Sequence, residues 1–156
     1  MVRLILVRHG AAVPKSQDPT RPLSPEGVAS VQRMGQYLRR VPELDIGAIW
    51  YSPKLRARQT AEWIARELGF SGPMSVEPAL EPDADVMDTV RAIDRVARSL
   101  MLVGHLPHLN LLASYLVCGQ ADAEIFAFAP AAVLCLERTS HRVWKVVWFL
   151  HPDMVP

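Results

Sequence analysis

The sequence predicts an α/β fold, a three-layer α/β/α sandwich whose sheet is mostly parallel with an antiparallel edge. Three observations carry this expectation. Short apolar runs rich in branched residues alternate with amphipathic helical stretches, the pattern of strands joined by helical crossovers. The first run, Val2 to Val7, is apolar almost throughout, as a strand covered on both faces must be. Two further runs near the C-terminus have no helix between them, which marks a hairpin. At 156 residues, with 50% hydrophobic and 21% charged residues, the chain suits one compact domain spanning 1–156.

Val2 to Val7 is the opening strand. After a polar loop holding Pro14, Pro19 and Pro22, Ser24 followed by Pro25 and Glu26 forms a helix start. Val28, Val31, Met34 and Leu38 then recur at helical spacing, and Pro42 closes the helix. Ala48 to Tyr51 is a second strand, and Leu55 to Leu68 a second helix ended by Gly69, which tolerates the left-handed conformation. Met74 to Val76 is a weaker strand. A Pro- and Asp-rich loop leads to a helix over Val86 to Arg98, with Val90, Ile93 and Val96 on one face. Leu100 to Val103 is the fourth strand, running through Gly104, His105 and Pro107 into an apolar helix that ends near Cys118 and Gly119. Ala132 to Glu137 and Val143 to Leu150 form the hairpin around Thr139 and Ser140.

Composition excludes several function classes. Lys and Arg total 17 against 16 Asp and Glu, a net charge of +1, so no bulk charge recruits nucleic acid or an anionic membrane. The longest apolar stretch, Ile125 to Leu136, is broken by Pro130 and falls short of the ~20 residues that span a bilayer. Arg8 and His9 follow the N-terminal run too soon for a signal peptide, so a cytoplasmic location is expected. Cys118 and Cys135 lack C-x-x-C spacing and are expected as reduced core residues.

Open α/β sheets bind ligands past the carboxyl ends of their strands. The first strand delivers Arg8, His9 and Gly10; the second delivers Ser52, Pro53 and, at its helix start, Arg56; the fourth delivers Gly104 and His105. Two arginines and two histidines on three loops suit a phosphate-sized dianion, whose oxygens they would meet beside helix N-termini. A metal held by His9 and His105 is the competing arrangement. It lacks carboxylate or His-x-x-x-His ligands, and the arginines would repel a cation, so no metal is expected. No Walker loop or dinucleotide fingerprint appears, so no cofactor is expected either. Arg58, Arg66, Arg91 and Arg95 fall on helices as solvated charges. His108, His141 and His151 have no matching partner and are assigned structural or surface places; Trp144 and Trp148 are assigned to core packing with Val146 and Leu150.

Leu6-Val7-Arg8-His9-Gly10 resembles the Arg-His-Gly signature of the histidine phosphatase superfamily, the phosphoglycerate-mutase-like fold. The resemblance continues through Arg21-Pro22-Leu23-Ser24 and Gly27, Ser52-Pro53-Lys54-Leu55-Arg56-Ala57 with Gln59-Thr60, and Val103-Gly104-His105-Leu106-Pro107. The small size and the Arg-Pro-Leu and His-Leu-Pro turns are most similar to the SixA-type phosphohistidine phosphatases. The resemblance implies His9 as the nucleophile that accepts the phosphoryl group, with Arg8, Arg56 and His105 holding its oxygens. It further implies Arg21, Gly10 and Ser52 as substrate contacts.

The larger esterases and mutases of the superfamily carry a glutamate acid and a second acidic motif, whereas Leu80-Glu81 is followed here by Pro82-Asp83-Ala84-Asp85. Glu81 is therefore either a general acid or a solvated loop carboxylate. With one helix between that loop and the fourth strand, nothing caps the site, and an open site favours a bulky substrate. The implied function is hydrolysis of phosphohistidine on a partner protein, such as a histidine-phosphotransfer domain. The alternative is a phosphomonoesterase or mutase acting on a small phosphorylated metabolite.

Overall fold

The computed structural model describes residues 1–140 and 142–156. Its elements are β1 (Arg3–Arg8), α1 (Pro25–Leu38), β2 (Ala48–Tyr51), α2 (Leu55–Leu68), β3 (Met74–Val76), α3 (Val86–Asp94), β4 (Leu100–Gly104), α4 (His108–Cys118), β5 (Val133–Ser140) and β6 (Val143–Leu150). They build one six-stranded sheet in the order β3-β2-β4-β1-β5-β6. The first four positions are parallel to their neighbours, while β5 and β6 add an antiparallel edge, the sandwich expected from the sequence.

The period-two alternation of each strand sorts its side chains between two cores. Ile5, Val7, Ile49, Met101, Val103 and Cys135 point to the face covered by α1 and α2, against Val31, Met34, Ile64 and Ala61. Leu4, Leu6, Leu100, Leu102, Leu134 and Leu136 point to the other face, against Val90 and Ile93 of α3 and Leu109 and Leu112 of α4. β1 is consequently buried on both sides at every residue from Leu4 to Val7.

The caps follow the sequence signals. Ser24 Oγ accepts from Gly27 N at 3.0 Å to start α1 behind Pro25, and Gly69, at φ 67°, closes α2. Asp85 Oδ1 accepts from Met87 N to start α3.

Four expectations are corrected. The third helix stops at Asp94 rather than Arg98, because Val96 N turns back to Ile93 O and Ser99 Oγ accepts from Arg3 N, committing that stretch to enter β4. Thr139 and Ser140 belong to β5, which pairs as far as Ser140↔Val143. Trp144 and Trp148 do not share a face. Cys135 pairs Trp148 but Leu136 pairs Val146, so a β-bulge at Val147 turns Trp148 towards the α1/α2 core while Trp144 joins the other, leaving Val146 exposed. Cys118 is also exposed rather than core, whereas Cys135 is buried, and both are free.

Candidate active site

The parallel register sets β1 and β4 to end together, with Arg8 opposite Gly104, and β2 ends beside them through Ser52 N donating to Val103 O at 3.1 Å. The loops leaving these three strands therefore open at one edge of the sheet. His9 N donates to Gly104 O and Arg8 N to Ala132 O, so the first loop is clamped between β4 and the entry to β5.

His9 is 8% exposed. Its Nδ1 lies 2.7 Å from the Gly10 carbonyl, which can only accept, so Nδ1 carries the proton and Nε2 keeps its lone pair. Burial pushes the imidazole down to about 4, opposed by the Gly10 hydrogen bond and reinforced by the guanidiniums of Arg56, Arg8 and Arg21. At neutral pH His9 is therefore an uncharged imidazole among cations.

His105 packs against it, with ring centroids 5.0 Å apart at an interplanar angle of 57°. His105 Nε2 meets Ser52 Oγ at 2.7 Å. Ser52 Oγ accepts from Lys54 N, which leaves its hydroxyl proton free to be donated to His105 Nε2. Nδ1 of His105 then carries the ring proton, yet it is buried with no partner. Burial, then the proximity of His9, Arg56, Lys54 and His108, pushes this imidazole down to about 3.

Arg8 anchors one end of its guanidinium by donating from Nη1 to the Phe128 carbonyl at 2.7 Å, but its Nε is buried without a partner. Arg56 Nε is in the same condition at the start of α2, whose N-terminus has no side-chain cap. Burial lowers both guanidiniums from their ordinary value. Buried polar groups are ordinarily satisfied. Three unpaired nitrogens on Arg8, Arg56 and His105, around an imidazole with a free lone pair, are what a tetrahedral oxyanion would satisfy.

Arg21 also belongs to this group, since its charge acts on both His9 and Arg56. It is held at φ 49°, a left-handed conformation costing a non-glycine residue about 1 kcal/mol or more, with Nε donating to Val13 O. Gly10 and Ser52, expected to touch substrate, have their polar atoms engaged inside the protein instead. Gly10 N donates to Thr60 Oγ1, and a Cβ on Gly10 would stand 2.6 Å from Val31 Cγ2. Glu81 lies at the end of a 3-10 turn, Pro78–Leu80, and is half-buried; the carbonyl before it, Leu80 O, lies 3.6 Å from the Cβ position of Gly104. It makes no ion pair with the site arginines. Among the described residues, no group of three or more His, Cys, Asp or Glu is placed to hold a metal ion.

His108 is neither solitary nor on the surface. It is fully buried, and since Thr89 Oγ1 donates to Ala79 O, His108 Nε2 donates to Thr89 Oγ1 at 2.8 Å, with burial pushing the ring down to about 4. His151 is exposed and caps a C-terminal 3-10 turn, and His141 lies outside the described residues. The partners that sequence reasoning missed, the Phe128 carbonyl and Thr89, sit 120 and 19 residues from the groups they hold. A carbonyl has no residue signature, and only the polar side chain of Thr89 on an otherwise apolar helix face hinted at its role.

Residues 4–88 match the family model described as the histidine phosphatase superfamily, branch 1. The phosphohistidine phosphatase SixA of Escherichia coli (strain K12) is 28% identical over 156 residues, covering 97% of this chain and 94% of that protein. A structure of the protein histidine phosphatase SixA complexed with tungstate superposes with a TM-score of 0.88 at 24% identity, covering 98% of this chain and 99% of that one. A putative alpha-ribazole-5'-P phosphatase from Escherichia coli shares the fold at a TM-score of 0.80 and 15% identity, covering 97% and 98%.

Proposed function

The chain belongs to the histidine phosphatase superfamily, and from that premise we propose that it hydrolyses phosphohistidine on a partner protein through a phosphohistidine intermediate on His9. The observation that carries this reading is the set of unpaired buried nitrogens on Arg8, Arg56 and His105 around the neutral His9. The 28% identity to SixA along nearly the whole chain supports the choice of substrate.

His9 Nε2 attacks phosphorus in line while the bond from phosphorus to the substrate imidazole nitrogen breaks; the other ring nitrogen of the substrate holds a proton taken from solvent, so that neutral imidazole leaves. Charge spreads over three equatorial oxygens in this step, and the planar forks of Arg8 and Arg56 with the Nδ1–H of His105 are suited to hold them. Water then attacks phosphorus, the bond to His9 breaks, phosphate leaves and His9 is again neutral. α3 packs into the core beside α4, which supports reading the strand-end edge as accessible to a phosphorylated side chain projecting from a protein surface.

The test is to assay the purified protein on a phosphorylated histidine-phosphotransfer domain beside a panel of sugar and glycerate phosphates. The expected result is turnover of the protein substrate and a labelled, acid-labile, alkali-stable adduct on His9. His9→Ala should lose turnover and adduct while folding normally. Preference for a small phosphate ester would replace the partner protein with a metabolite, and a label on another residue would sink the covalent mechanism.

A further inference from the structure

One turn of α2 holds the nucleophile, the arginine of its own first turn and Arg21 in fixed relation. Thr60, fully buried, donates from Oγ1 to the Arg56 carbonyl at 2.8 Å and accepts from Gly10 N at 3.0 Å. Gly10 O in turn accepts from His9 Nδ1. Hydrogen bonds to the N–H and the carbonyl of Gly10 therefore link the backbone of Arg56 to the ring of His9 through that one residue. Beside it, Gln59 Oε1 accepts from Leu23 N at 2.8 Å, two residues beyond Arg21 in the loop that Arg21 strains.

We propose that Thr60 and Gln59 are positioning residues. Thr60 sets the His9 ring through Gly10, and Gln59 sets the Arg21 loop, so that α2 aligns nucleophile and clamp together. Gly10 transmits the setting because it has no room to move: Val31 Cγ2, the Gly27 carbonyl and Leu23 Cδ2 all crowd the place a side chain would take. Gly27 is equally confined, since a Cβ there would fall 1.9 Å from the Ala11 carbonyl, and Ser24 N holds that same carbonyl at 2.9 Å. The loop from His9 to Ala11 is thus seated on α1 with Thr60 as its polar anchor from α2. Without the Thr60 hydroxyl, Gly10 N–H would be buried and unsatisfied, a condition that favours a shifted peptide. A shift of the Gly10 carbonyl releases His9 Nδ1, and the two neutral tautomers of the ring then compete.

The proposal rests on the reading of His9 as nucleophile, and its test includes measurements that need no turnover. Thr60→Val keeps the shape and removes the hydroxyl; Thr60→Ser restores it. In imidazole 15N spectra of the full chain, His9 should be the Nδ1–H tautomer in the wild type and in Thr60→Ser, and a mixture in Thr60→Val. On the phosphorylated histidine-phosphotransfer domain, Thr60→Val should lose about tenfold to a hundredfold in kcat, as misalignment of a nucleophile does. Its Kd for inorganic phosphate should stay within about threefold of wild type because the arginine clamp remains, and Thr60→Ser should recover most of kcat. Gln59→Leu should show the opposite split, with phosphate bound several-fold more weakly and the His9 tautomer intact; it also reads the proposal if Thr60→Val fails to fold. An unchanged tautomer and kcat in Thr60→Val, or unchanged phosphate affinity in Gln59→Leu, would overturn it. A wild type that ignores phosphohistidine overturns the substrate reading alone, because the tautomer and phosphate measurements still decide this one.

Discussion

The Ser52 hydroxyl and His105 Nε2, 53 residues apart in sequence, meet at 2.7 Å, and a hydroxyl proton donated along this contact leaves the ring proton of His105 on Nδ1. Ser52→Ala frees the ring to adopt the other tautomer. Losing one preorganised donor to a developing oxyanion typically costs about 10²-fold. We expect kcat/KM to fall by about tenfold to a hundredfold and inorganic phosphate to inhibit less well, both measurable in one steady-state series.

Arg56→Lys keeps the charge and loses the fork. A point charge cannot make two parallel contacts with phosphate oxygens, so kcat should fall at least about tenfold while the thermal midpoint changes little. Activity of the unmodified protein should survive EDTA; a loss reversed by a divalent cation would assign the site to a metal.

His9 and His108 are held down to about 4, and His105 to about 3, by burial in each case. The unfolded chain takes up these three protons near pH 6.5, the ordinary value for histidine, while the folded chain refuses them. Stability is therefore full above pH 6.5 and is lost as pH falls towards 4. Urea midpoints at pH 7.5 and 5.0 should show a clear drop, and His108→Gln, which keeps a donor for Thr89, should shrink it. A flat profile would mean that the rings are charged inside the fold.

Glu81 separates the two classes of substrate. An alkoxide leaving from a phosphate ester gains about 10²- to 10⁴-fold from a positioned acid, whereas imidazole, whose conjugate acid has a pKa of about 6.5, needs little help. Glu81→Gln should change phosphohistidine turnover by less than about tenfold, and alkyl phosphates should be poor substrates for the wild type. A hundredfold loss on an alkyl ester that the wild type cleaves well would make Glu81 the acid and favour the esterase.

The strand ends were legible because each burst of branched apolar residues stops at a polar residue with chemistry to offer: Val7 at Arg8, Tyr51 at Ser52, Val103 at Gly104 and His105. The helix starts were legible for the same local reason, Ser24 before Pro25 and Asp85 before Val86. What resisted was decided between distant segments. The third helix ends early because Ser99 pairs with Arg3, 96 residues away, and the two tryptophans part company at a bulge that only the β5 partner defines. His108 looked solitary because its partner is a threonine on another helix. Ser52 and Gly10 sit in the motif, yet only the fold shows that the Ser52 hydroxyl meets His105 and the Gly10 carbonyl meets His9.

β1 leads directly into His9, but both of its neighbours in the sheet, β4 and β5, come from beyond residue 99. Translation delivers Arg8 and His9 well ahead of Gly104, Phe128 and Ala132, the residues whose backbone holds them. Loop closure over such separations is slow compared with forming a helix. The strand-end cluster therefore assembles only after β4 and β5 have been made, and a fragment stopping short of Val133 leaves β1 as a bare apolar edge open to other chains.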